Sequence, residues 1–285
     1  MGILQIMRSK TAGVAALLFC ATVAWAARQP GAPLRPSSFN FFSRQQDIEL
    51  GRETAQEILK QHEVVNDAFL QNYLRRIGGR LAATPEARES EFTFTFTVLN
   101  DPKVNAFALP GGPMFVNIGL FQAVDNEAQL AGSMAHEMAH VILRHGTTQM
   151  SKANLLEIPA LLAEAATGSR LLGRLAEAGV VIGVNRFTRS DESEADALGC
   201  HIMAEAGWNP IELGRFFEKL QGTQGPRFLA FLSDHPDPGN RERAIEDEVR
   251  TLRPRNYGYE TGEFGRMKAE LRRVPPPRKK APPEE

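Results

Sequence analysis

His136, Glu137, Met138, Ala139 and His140 spell H-E-x-x-H. They fall in a stretch whose apolar spacing predicts a helix, and residues four apart on a helix share a face. Both imidazoles can therefore meet one cation, and Glu137 lies beside it. Neutral imidazole is the commonest protein ligand for metals of this kind. A carboxylate next to such a metal takes a proton from water. The pattern implies a zinc-dependent hydrolase, a peptidase before any other, with one zinc per chain and Glu137 as general base.

Two histidines do not complete a catalytic zinc site, which takes three protein ligands and leaves a fourth position to water. The longer pattern H-E-x-x-H-x-x-G-x-x-H is absent, because Leu143 and Gly146 stand at its next two fixed positions. That argues against a three-histidine site. Glu192-Ser193-Glu194-Ala195-Asp196 offers three carboxylates instead. Glu192 and Asp196 share a helical face, while Glu194 points about 200° away from Glu192. A carboxylate ligand with a second carboxylate one turn along, holding the free N–H of a ligand histidine, fits that spacing. So does a solvated acidic helix start, where carboxylates suit the helix dipole. His145 lies about 140° round a continuous helix from His140 and is not placed to share its ligand.

The elements that must position these groups are mostly helical. Ser43 with Gln46 forms a capping-box pattern, opening a helix to about 61. A second helix runs over about 65–82, with Phe69, Leu70, Tyr73, Leu74 and Ile77 at helical spacing. Phe92, Phe94, Phe96 and Val98 alternate with polar residues, as a half-buried strand does. Two further extended runs, about 104–109 and 114–118, flank the turn Pro110-Gly111-Gly112-Pro113. Asp125 is placed to cap the motif helix, which is expected to reach His145 and stop at Gly146. Residues 153–184 read as a buried helix pair, and helices follow over about 190–206, from Asn209-Pro210, and over 240–252. The expected class is α+β, a mostly helical zincin-type domain with a small antiparallel sheet beside the motif helix.

The chain has 285 residues, 42% hydrophobic and 24% charged, an ordinary globular balance. A formal charge of -1 gives no electrostatic case for nucleic acid as partner. Arg8 and Lys10 precede an uncharged run ending in Ala24-Trp25-Ala26, the pattern of a secretory signal peptide cut after Ala26. Cys20 sits in that run behind Leu17-Leu18-Phe19, which is too bulky for a lipidation motif. Export would leave Cys200 as the sole cysteine, unable to form an internal disulfide and read as a small buried residue. The expected organisation is a signal peptide at 1–26 and an extended leader at 27–42, with Phe39, Phe41 and Phe42 docking on the body. A metallopeptidase domain at 43–252 and a largely disordered tail at 253–285 complete it.

The motif helix, with Glu192-x-x-Ala195-Asp196 after Arg189, resembles the HtpX/BepA/LoiP group of zinc metallopeptidases. These are gluzincins, related to the CAAX prenyl proteases. Asn105-Ala106-Phe107-Ala108-Leu109-Pro110-Gly111-Gly112 resembles the group's edge strand, and His235-Pro236 with Arg241 its H-P…R segment. The likeness spans about 43–252. It implies His136, His140 and Glu192 as zinc ligands, Glu137 as base and Asp196 behind a ligand histidine. It further implies unfolded or misassembled cell-envelope proteins as substrates, envelope assembly machinery as a candidate partner, and a periplasmic location. The membrane spans of some members and the helical repeats of others have no counterpart here, so the likeness is to short soluble members. A strand through Asn105, Phe107 and Leu109 could pair with an extended substrate. His235 is a candidate fourth zinc ligand or gate, and Arg241 a candidate for the oxyanion, a substrate carboxylate or an acidic neighbour. A competing class is a zinc-stabilised chaperone or binding module whose site is blocked.

Overall fold

The computed structural model describes residues 29–155, 187–223, 225, 231, 233, 235, 236 and 240–277. The expected signal peptide, most of the apolar stretch 153–184 and the end of the tail lie outside them.

Helix α1 (Arg44–Gln61) starts at the expected capping box. Gln46 N–H donates to Ser43 Oγ at 3.2 Å, and Ser43 N–H donates to Gln46 Oε1 at 2.7 Å. Helix α2 (Ala68–Ala82) is capped by Asp67, which accepts from Leu70 N–H. It starts later than expected because Val65 N–H bonds Val98 O and holds that stretch extended beside the sheet. A short helix α3 (Pro85–Glu89) follows, with proline in the first turn.

Strands β1 (Thr95–Leu99), β2 (Ala106–Ala108) and β3 (Pro113–Asn117) form one sheet in the order β1-β3-β2. The sheet is mixed, which corrects the antiparallel expectation. β2 and β3 are antiparallel across the Pro110–Pro113 turn, where Gly111 and Gly112 take φ of 78° and 120°. β1 pairs parallel with β3, Thr95 opposite Pro113 through Leu99 opposite Asn117. The excursion through β2 returns β3 to the centre, so sequence neighbours β1 and β2 never pair. β2 is left as the edge strand, with Phe107 stacked on Phe115.

After α4 (Ile118–Ala123), helix α5 (Glu127–Ile142) carries the motif. Asn126, not Asp125, is its cap, accepting from Gln129 N–H at 2.9 Å. Residues 127–141 of α5 are almost all buried, which makes it the central helix. Helix α6 (His145–Ala153) follows a break at Arg144, whose φ of 57° and ψ of 33° lie in the left-handed region. The motif helix therefore ends earlier than expected and Gly146 lies inside α6. The left-handed conformation costs a non-glycine residue such as Arg144 about 1–2 kcal/mol. Two contacts hold it, Arg144 Nε to Asp47 Oδ2 at 2.6 Å and Arg144 Nη2 to Phe42 O at 2.5 Å.

Helix α7 (Arg189–Ala206) opens on a capping box between Thr188 and Asp191 and packs along α5. Its Gly199 lies against the backbone of His136, where an added Cβ would come within 3.3 Å of His136 N. Helices α8 (Ile211–Gly222) and α9 (Arg241–Thr251) close the site's far side.

The end of the chain corrects the disordered-tail expectation. Helix α10 (Phe264–Leu271) buries Met267 and Leu271 in the core. The segment before it is held by Glu127, whose carboxylate accepts from Tyr73 Oη, Trp208 Nε1 and Thr261 N–H. The Arg80 guanidinium lies 3.5 Å from the Tyr259 ring centroid. Of the leader's aromatics only Phe42 is buried; Phe39 and Phe41 are exposed and touch edge to face. No described helix is long and apolar enough to cross a membrane.

The α5–α7 approach generates a prediction. Replacing Gly199 by Val should lower stability by about 1–3 kcal/mol through overpacking. Replacing exposed Gly79 of α2, with nothing within 4 Å of an added Cβ, by Ala should raise it by about 0.5–1 kcal/mol. Urea midpoints of the two variants are expected to move in opposite directions.

Candidate metal centre

The crossing of α5 and α7 decides the site. α5 presents His136 and His140 one turn apart, and α7 presents Glu192 and Asp196 one turn apart toward them. His235 enters from the stretch between α8 and α9, its N–H donating to Phe231 O one turn back. One ligand-type atom from each of His136, His140, Glu192 and His235 lies within 4.8 Å of the others, and all four residues are buried. His136 Nε2 is 3.1 Å from His140 Nε2, 3.3 Å from Glu192 Oε2 and 3.3 Å from His235 Nδ1. Glu192 Oε1 is 3.4 Å from His140 Nε2 and 3.0 Å from His235 Nδ1.

The atoms facing away from this cluster have partners too. Asp196 Oδ1 lies 2.9 Å from His136 Nδ1. Arg241, the first residue of α9, grips Asp196 with two bonds, Nε to Oδ2 at 2.6 Å and Nη2 to Oδ1 at 2.7 Å. Its Nη2 also donates to Glu192 Oε2 at 3.2 Å, and its guanidinium carbon lies 3.5 Å from the Phe217 ring centroid. Of the three tasks expected for Arg241, the geometry supports the pairing with acidic neighbours. Its guanidinium is buried among these partners.

Glu137 is 2% exposed. Its Oε1 lies 3.2 Å from His235 Nε2, an ion-pair contact, and meets no other donor among the described residues. Burial opposes charge throughout the cluster, and its effects are uneven. It pushes His140 well below the ordinary histidine value. Against burial, Asp196 and Glu192 raise His136. His235 rises to about 10 despite burial, through the Glu137 and Glu192 carboxylates. Burial would raise Glu192, yet His235 and the two α5 histidines hold it far below the carboxylate range. A cation bound here would displace the protons that the carboxylates favour on His136 and His235.

Some contacts were not legible beforehand. Phe187 stacks on His140 with centroids 3.8 Å apart, and Phe217 meets His136 edge to face. His145 Nδ1 lies 2.9 Å from His140 Nδ1. His201, which no pattern surrounded, pairs with Glu248, and Cys200 is buried as expected. A small open cleft adjoins His140, lined among others by Ala108, Pro110, Val141, Gly146 and Phe187. It connects the end of edge strand β2 to the histidine cluster. Asn105 precedes β2, with its carbonyl accepting from Asn117 N–H, and Leu109 is buried just beyond it.

The family model for peptidase family M48 matches residues 68–249, which includes every residue of the cluster. The chain belongs to peptidase family M48. It is 32% identical over 222 residues to the β-barrel assembly-enhancing protease of Escherichia coli (strain K12), covering 73% of this chain and 45% of that protein. It is 34% identical over 204 residues to a putative β-barrel assembly-enhancing protease of Vibrio cholerae, covering 67% and 41%. It is 32% identical over 178 residues to the mitochondrial metalloendopeptidase OMA1 of Schizosaccharomyces pombe, covering 61% and 52%. The chain thus spans about half the length of these curated relatives. M48 metallopeptidases use zinc, and the donor set here fits that ion. Imidazole nitrogens and a carboxylate oxygen are zinc's own ligand types, they converge, and they are buried.

Zinc uptake tests the site. The purified chain should bind one zinc, and Glu192→Ala should lose that stoichiometry by atomic emission. Metal at a thousandfold excess over its dissociation constant should stabilise the fold by about 4 kcal/mol, read as a fall in Tm on chelation.

Proposed function

We propose that the chain is a zinc metalloendopeptidase, with His136, His140 and Glu192 holding the metal. The observation that carries this is the Glu137 carboxylate, buried beside three convergent donors with His235 the one donor its Oε1 faces among the described residues. Zinc bound there would polarise a peptide carbonyl and acidify water. Glu137 would take the proton of the attacking water and return it to the leaving amine. Asp196, held by Arg241, would fix the ring of His136 through Nδ1. Edge strand β2 would pair with an extended substrate, which leads its backbone past the His140 cleft and reads no long sequence motif.

Unfolded or misassembled envelope proteins are the proposed substrates, with periplasmic location and cleavage after Ala26. The charged start and apolar run of residues 1–26 support export. The similarity to β-barrel assembly-enhancing proteases supports the envelope role and makes assembly machinery a partner to look for. Mature protein should begin at Ala27 in the periplasmic fraction; an intact N-terminus in the cytoplasm would sink this placement.

A second reading concerns latency. His235 Nδ1 lies among the metal donors while its Nε2 faces Glu137. His235 therefore stands both where a fourth ligand would sit and against the base. A site closed in this way would make the chain a zinc-stabilised chaperone or binding module until His235 withdraws.

One assay of zinc-dependent cleavage of an unfolded protein separates these readings. Glu137→Gln should keep the metal and lose about 10²–10⁴-fold in rate. His235→Ala should raise the rate if His235 is a gate. Cleavage that survives Glu137→Gln overturns the mechanism, and unchanged or slower cleavage by His235→Ala overturns the latency.

A further inference from the structure

We propose that His145 is a positioning residue of the metal centre, accepting a hydrogen bond from His140 Nδ1 and so fixing the tautomer that leaves Nε2 free for the metal. The inference rests on the zinc reading above and adds a residue to it.

The backbone makes the contact. On an unbroken helix His145 would point about 140° away from His140. The chain instead leaves α5 at Ile142, and Arg144 turns it through a left-handed conformation. His145 becomes the first residue of α6 and faces back, with ring centroids 5.0 Å apart and nearly perpendicular. Strained non-glycine backbone persists only where surroundings over-determine it. Here Asp47 of α1 and the carbonyl of Phe42 both hold the Arg144 side chain.

Tautomer logic gives the contact its direction. His140 Nε2 faces His136 Nε2 and Glu192 Oε1, so it must carry a lone pair to bind a cation. The ring's proton is then on Nδ1, which points at His145 Nδ1 at 2.9 Å. His145 must accept there and carry its own proton on Nε2. That nitrogen faces two carboxylates of α7, Glu194 Oε2 at 3.6 Å and Asp191 Oδ1 at 3.9 Å, distances that suit an intervening water. Asp191 is itself fixed by Gln149 of α6 and by the Thr188 cap. The two α5 histidines are thus backed differently, His136 by a carboxylate and His140 by an imidazole.

A buried ring at a helix start could instead only fill space. Asparagine and glutamine tell the two apart, because Asn sets its amide oxygen near the place of Nδ1 and Gln reaches only that of Nε2. The dissociation constant for zinc is measured on the full chain by competition with a chromophoric chelator, with the Tm of metal-free protein as a control. His145→Asn should stay within about threefold of wild type, while His145→Gln and His145→Ala should weaken about 10–100-fold, as loss of an outer partner does. Equal affinities across wild type and all three variants, or equal weakening by Asn and Gln, overturn the role of His145. Wild-type protein that takes up no zinc overturns the metal reading itself. Long-range ¹H–¹⁵N correlation on the wild-type zinc protein needs no variant. It should place the His140 proton on Nδ1, and a proton on Nε2 overturns the inference.

Discussion

Two carboxylates one turn apart on α7, Glu192 and Asp196, are buried in the middle of the protein. Ionised groups removed from water cost several kcal/mol each unless paired and hydrogen-bonded. Most of the architecture around the site answers that demand. α5 sets His136 and His140 against them, and α9 begins with Arg241, whose fork fits Asp196 and reaches Glu192. His235, from outside these helices, supplies a further partner to Glu192. A cation completes the neutralisation, so metal binding and cohesion of these helices are one energetic problem.

The same demand accounts for the aromatic surround. Phe187, Phe217 and Phe231 pack on the histidine rings and screen the cluster from bulk solvent. A buried site strengthens each electrostatic contact within it. It also exposes any poorly matched group, which is why Oε1 of Glu137, met only by His235 among the described residues, stands out against a cluster in which the other carboxylates are spoken for. Support reaches outward in two directions, through Asp196 and Arg241 to α9, and through His145 to α6 and the Arg144 anchor on α1.

Local signals in the chain were legible where chemistry is local. The capping box at Ser43 begins a helix because a side-chain oxygen satisfies the first free N–H groups, whatever packs above. The spacing of Glu192 and Asp196 placed both on one face for the same reason. Reading failed where a distant partner overrode the local pattern. The parallel pairing of β1 with β3 depends on the order in which strands fill the sheet. The break at Arg144 depends on Asp47 and Phe42, about a hundred residues earlier. Helix α10 shows three apolar residues at helical spacing, Phe264, Met267 and Leu271, but charge and proline around them mask a segment that Glu127 ties down.

By itself the sequence determined the metal chemistry. Residue types at spacings of three and four on a helix restrict which side chains can share a cation, and no tertiary information is needed for that. Asp196 behind a donor was readable from its spacing to Glu192, while tertiary structure decided the rest of the surround. It turned Arg241 inward to a carboxylate, set His235 between the donors and the base, and swung His145 onto His140. Each of those contacts joins residues from different elements or across a strained turn, and so is set by the packing of the whole core, not by the periodicity of one helix.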